Sequence, residues 1–157
     1  MSERVYLETT IFSYLTARPS RDLIQSAHQQ ITRDWWTTRR ESFEVHASDL
    51  VVEEAAFGDV RAAKRRLDLL RDVALLDSTE DARVLARLLV AAAALPANAA
   101  SDAAHIAVAT VHGMDYLLTW NCRHIANAQM RQKIVAACAV RGFAAPILCT
   151  PEELMGR

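Results

Sequence analysis

Apolar residues at Leu23, Ile24, Ala27, Ile31 and Trp35 return every three or four positions within residues 20–40, the period of a long amphipathic helix whose other side faces water. Upstream, Val5, Tyr6 and Leu7 form a short apolar run that gives way to the helical spacing of Ile11, Phe12 and Leu15. That change of period predicts a strand turning directly into a helix at Glu8, Thr9 and Thr10. Residues 43–47 alternate like a strand. Ser48 and Asp49 are N-cap residues for a helix over 50–56 that Gly58 stops, and a second helix runs over 60–72. Residues 73–76 predict a short buried strand, and Ser78, Thr79, Glu80 and Asp81 cap a helix reaching Leu95. Beyond Pro96 a helix over 101–112 ends at Gly113. A strand at Tyr116, Leu117 and Leu118, a loop over 121–127, a helix over 128–141 and a last short strand at Ile147 and Leu148 complete the chain.

Short apolar strands separated by helices predict a parallel sheet covered on both faces, because parallel strands need crossover connections and those are usually helical. The fold class is α/β. With 157 residues, 52% of them hydrophobic, and no Gly-, Ser- or Pro-rich linker, residues 1–157 read as one domain. The longest purely apolar run, residues 88–95, falls far short of the ~18 residues a membrane span needs and reads as a buried helix segment. No membrane partner is expected. Glu8 interrupts any apolar leader near the start, so export by a signal peptide is not expected. Cys122, Cys138 and Cys149 are odd in number and widely spaced, which fits reduced, buried thiols in a cytoplasmic protein. The formal net charge of -1 exerts no overall pull on nucleic acid, so a polyanion would be held by a local patch or through metal ions.

In an open parallel sheet, ligands bind beyond the carboxyl ends of the strands. Four polar residues are placed to reach that edge. Glu8 follows the first strand, Asn121 lies just past the strand ending at Leu118, and Glu54 and Asp102 lie early in helices. Three converging carboxylates and an amide would make an oxygen-rich site of the kind hard Mg²⁺ or Mn²⁺ prefers, and a cation would remove the repulsion between the acids. Each residue also has a plainer reading. Glu8 fits the N-cap of the helix starting at Thr9, Asp102 an acid in a first turn, and Asn121 a turn residue. Glu53 and Glu54 point about 100° apart on a helix, so one of them at most faces a site.

The stretches VYLETTIFSYL, SDLVVEEAAFGD and SDAAHIAVATVHGMDYLLTWNCRHIAN occur in the order found in PIN-domain ribonucleases, including VapC-like toxins of type II toxin–antitoxin modules, and the chain resembles that family along its whole length. The resemblance implies a PIN-like three-layer α/β sandwich, with a central, mainly parallel sheet flanked by helices. It also implies a Mg²⁺- or Mn²⁺-dependent endoribonuclease, probable partners being RNA and a cognate antitoxin, and a homodimer. Its site would be Glu8, Glu54, Asp102 and Asn121, with Glu8, Asp102 and Glu54 on the metal. Two departures bear on activity. Glu8 stands where the family usually has aspartate and is longer by one methylene, about 1.5 Å; Asn121 stands where aspartate or asparagine is seen and brings no charge. Both motivate a second expectation, a weakly active or inactive PIN-like module that binds RNA or protein.

Other features weigh less. Arg61, Lys64, Arg65, Arg66 and Arg71 are interleaved with Asp59, Asp68 and Asp72, which reads as a solvated helix with ion pairs rather than an RNA track. Asp102, His105 and His112 are spaced to share a helical face, but nothing else is spaced to complete a zinc site, and His105 is expected to pack near the site or to donate to an acid. Trp35 belongs to the apolar stripe, leaving Trp36 as the candidate for a partner surface.

Overall fold

A computed structural model of the chain describes residues 2–92 and 94–156. The elements follow in the order β1 (Arg4–Leu7), α1 (Thr9–Thr16), α2 (Leu23–Thr38), β2 (Glu44–Ser48), α3 (Asp49–Ala55), α4 (Val60–Leu70), β3 (Ala74–Leu76), α5 (Glu80–Ala91), α6 (Ala100–Val111), β4 (Tyr116–Leu118), α7 (Ala128–Val140) and β5 (Ile147–Cys149), with short 3-10 turns before β2 and α6. The five strands form a sheet in the order β3-β2-β1-β4-β5, and every neighbouring pair is parallel. From β1 the chain moves outward through β2 to β3, then returns across the sheet to β4 and β5. Right-handed crossovers in these two directions place α1 to α4 on one face and α5 to α7 on the other. The packing agrees, with α1 against α2, α3 and α4, and α5 against α6 and α7.

Local chemistry sets the element boundaries. The Ser48, Asp59, Thr79 and Asn127 side chains each accept a backbone N–H at a helix start, satisfying donors that the first turn leaves free. Helix α5 stops at Ala91, short of the expected Leu95, with Ala93 outside the described residues. Leu95 precedes Pro96, which disfavours helical backbone at the residue before it. The amides of Ala94 and Leu95 turn back to the Leu89 carbonyl instead. The run 88–95 is therefore not one buried helix, since Ala91 and Ala92 are exposed while Ala94 and Leu95 are buried. Strand β3 is less buried than its apolar sequence predicts, with Leu75 51% exposed, because it forms one edge of the sheet.

Val5, Tyr6 and Leu7 of β1 and Leu117 and Leu118 of β4 are fully buried at the centre, with Trp35 of α2, Leu85 and Leu89 of α5 and Ile106 of α6 packed around them. Trp36 is not a free surface aromatic: Phe12 meets its ring edge-on and the Arg40 guanidinium lies 4.2 Å from its centroid. On α4, Lys64 and Arg71 pair with Asp68, while Arg65 and Arg66 donate to backbone carbonyls, so the basic run is largely engaged by its own surroundings. No helix is long and apolar enough to cross a membrane among the described residues. Replacing Leu117 with alanine is expected to destabilise the fold by about 2–5 kcal/mol, the usual cost of emptying a well-packed site. Urea unfolding of Leu117→Ala should show a lower midpoint at unchanged slope; an unchanged midpoint would contradict its central position.

Candidate metal centre at the sheet edge

The two runs of strands diverge at β1, with β2 on one side and β4 on the other, and the polar residues cluster beyond the carboxyl ends of these three strands. Glu8 leaves β1 with its amide bonded to the Leu118 carbonyl at 3.1 Å and occupies the N-cap position of α1. Its side chain makes no capping bond. Oε1 instead accepts the Thr10 and Thr119 hydroxyls, each at 2.6 Å, in a pocket that leaves the residue 5% exposed. Only Oε1 is so engaged among the described residues, and Oε2 carries no hydrogen bond.

Glu54 reaches the same place from α3. Its carboxylate accepts the Thr9 hydroxyl, the Ser101 hydroxyl at 2.8 Å and His105 Nε2 at 2.5 Å. His105 is buried on α6, and its other nitrogen meets the Tyr6 hydroxyl at 2.7 Å, which in turn meets Ser48 Oγ at 2.8 Å. Ligand atoms of Glu8, Glu54 and His105 all lie within 4.8 Å of one another. Burial works to raise the Glu54 carboxyl, but the hydrogen bond and charge of His105, with Thr9 and Ser101, more than offset it and hold its pKa at about 2. Burial works to lower His105, yet the Glu54 hydrogen bond and the charges of Glu8, Glu54 and Asp102 raise it. Both shifts favour a carboxylate–imidazolium pairing of Glu54 with His105. Burial pushes the Tyr6 hydroxyl far up, so it stays protonated.

Asp102 and Asn121 meet one step away. Asn121 Nδ2 donates to Asp102 Oδ1 at 2.9 Å, and His124 Nδ1 lies 2.9 Å from Oδ2. Asn121 Oδ1 caps the loop by accepting the Arg123 and His124 amides, while its own amide donates to Thr119 Oγ1 at 2.9 Å. The Thr119 hydroxyl therefore touches both groups, since it also donates to Glu8. Of the four residues expected from sequence, the structure brings Glu8 together with Glu54, and Asp102 together with Asn121. His105 joins the first pair and His124 the second. His112 turns away to the Asp77 carbonyl, so the three-residue face with Asp102 and His105 does not assemble a zinc site. Thr119, Ser101 and His124 were not among the expected residues; His124 alone left a sequence trace, three positions after Asn121 in the same loop.

The donor set of two carboxylates and an imidazole, one carboxylate oxygen free of hydrogen bonds, fits a divalent cation. The parallel sheet, its order and its two helical layers are those of a PIN-like α/β sandwich. A solved structure of the same fold, that of VapBC2 from Rickettsia felis bound to a DNA fragment from their promoter, matches with a TM-score of 0.55 and 15% identity over 76% of this chain and 89% of that chain. No protein-family model matches the sequence, and no curated protein does so either.

Two outcomes check this geometry. Thr119→Val is expected to cost about 1–3 kcal/mol, because Glu8 loses a donor and the Asn121 amide an acceptor in a buried setting; denaturant unfolding measures it, and no loss would place the hydroxyl elsewhere. The ion pair predicts a pH signature in chelator-treated protein. His105, raised above its ordinary 6.5, contributes stability that is complete below 6.5 and lost as pH rises through its folded value. Glu54, lowered from 4.5 to about 2, contributes stability present above 4.5 and lost as pH falls toward 2. The difference in melting temperature between the parent and His105→Gln should therefore peak between pH 4.5 and 6.5. A difference that widens above that window would contradict the pairing.

Proposed function

We propose that the chain is a Mg²⁺- or Mn²⁺-dependent endoribonuclease, the toxin of a toxin–antitoxin pair, acting on RNA in the cytoplasm by attack of water on a phosphodiester. The observation that carries this reading is the meeting of Glu8 and Glu54, with ligand atoms within 4.8 Å, at the sheet edge where the two runs of strands diverge. Asp102 and Asn121 complete the acidic edge from the neighbouring loop and helix. The sequence motifs and the shared fold with VapBC2 support the same assignment.

A divalent cation held by Glu8, Glu54 and the acid edge would supply positive charge to the phosphodiester and acidify water for attack. The protein's own part is positioning. Thr10 and Thr119 fix one oxygen of Glu8, holding the longer side chain in place where aspartate is usual. His105 and Ser101 hold Glu54 from α6. Asn121 and His124 orient Asp102, and Arg123, exposed in that loop, offers a guanidinium to the RNA backbone. A cognate antitoxin and a homodimer belong to the same reading.

Cleavage of single-stranded and structured RNA in Mg²⁺ or Mn²⁺ tests it. Glu54→Gln and Asp102→Asn should each slow cleavage by more than the roughly 10–100-fold typical of losing an outer-sphere partner. If both variants cleave at the parent's rate, the site is misassigned; if the folded parent binds RNA without cleaving it in either metal, the chain is a binding module.

A further inference from the structure

Five histidines are present, and His105 is the one that structure and sequence both set against the acids. Its ring is fixed. Tyr6 and Ser48 form a buried hydrogen-bonded chain to Nδ1, through distances of 2.7 and 2.8 Å, and this leaves Nε2 as the nitrogen directed at Glu54. Metal-bound histidines commonly have their second nitrogen anchored in this way, because the anchor selects the tautomer and holds the ring plane. Asp102, which family resemblance would make a ligand, is turned toward Asn121 and His124 and is not among the side chains whose ligand atoms close within 4.8 Å.

We propose that His105 Nε2 is a direct ligand of the cation, completing with Glu8 and Glu54 a site of two carboxylates and one imidazole that favours first-row transition dications over Mg²⁺. This rests on the metal-dependent reading above and narrows it to an ion class. Mg²⁺ is hard, takes oxygen and keeps its water shell, whereas an imidazole nitrogen is a better donor to Mn²⁺ and the ions after it. Glu8 Oε2, which makes no hydrogen bond among the described residues, leaves an oxygen of this largely buried residue open to the cation. Two carboxylates and a neutral imidazole balance a dication without residual charge. Tyr6 then has a defined task as the acceptor that keeps the proton on Nδ1.

The test uses Mn²⁺ itself, in the absence of RNA. Electron spin echo envelope modulation of the parent with bound Mn²⁺ should show coupling to a ¹⁴N nucleus, and calorimetry should give Mn²⁺ roughly tenfold or more tighter binding than Mg²⁺. His105→Gln should lose the coupling and bring the two affinities together, while His124→Gln keeps the coupling. Absence of nitrogen coupling in the Mn²⁺-loaded parent would overturn the proposal without needing any variant to fold. So would coupling that survives in folded His105→Gln, or failure of Mn²⁺ to bind. The nuclease reading stands or falls separately on cleavage: RNA hydrolysis in Mg²⁺ without nitrogen coupling leaves it intact while removing His105 as a ligand. Nitrogen-coupled Mn²⁺ in a protein that cleaves no RNA does the reverse.

Discussion

Two carboxylates held close in a poorly solvated place repel each other, and the chain resolves this with an imidazole from the opposite helical layer. Glu54 sits on α3, on one side of the sheet; His105 sits on α6, on the other. They meet past the end of β1, where Tyr6 of that strand grips the imidazole from beneath. The contact is thus a clasp between layers as well as a charge balance. Removing the half-exposed Glu54 would strand the buried His105 without its partner, the costlier of the two losses.

Around that clasp, hydroxyl groups do the aiming. Thr9, Thr10, Ser101 and Thr119 come from three different places in the chain, and each places its hydroxyl on a carboxylate oxygen. A hydroxyl can donate to a carboxylate while leaving the charge available to a cation. Lysine or arginine in these places would cancel the negative field that a cation needs. Of the two threonines that open α1 after Glu8, Thr10 orients Glu8 and Thr9 braces Glu54. Thr10 also accepts the Trp120 amide, tying the segment after β4 to the same turn.

Much of the fold was legible because strands and helices write their periods locally. Val5 to Leu7 and Tyr116 to Leu118 announced the central strands, and Ser48, Thr79 and Gly113 marked boundaries by the chemistry of helix ends. The end of α5 was misplaced because an alanine- and leucine-rich run has no polar break to mark where it stops. The exposure of Leu75 depends on strand order, which no local pattern encodes. The acids were nameable as residues at strand ends or early in helices. Their partners were not: Thr119 and Glu8 are 111 positions apart, and a hydroxyl in a loop leaves no periodic mark. His105 stood out through its spacing from Asp102, but its partner proved to be Glu54, 51 positions away.

The path of the chain through the sheet carries a consequence for synthesis. Glu8 and Glu54 come before β3 in the chain, but His105 and Thr119 belong to the return journey across the sheet, after β3. During translation the early carboxylates have neither counter-charge nor brace, and the central strand lacks its β4 neighbour. A centre assembled in that order is incomplete in the nascent chain. Its groups come together only once the segment after β3 has folded back against β1.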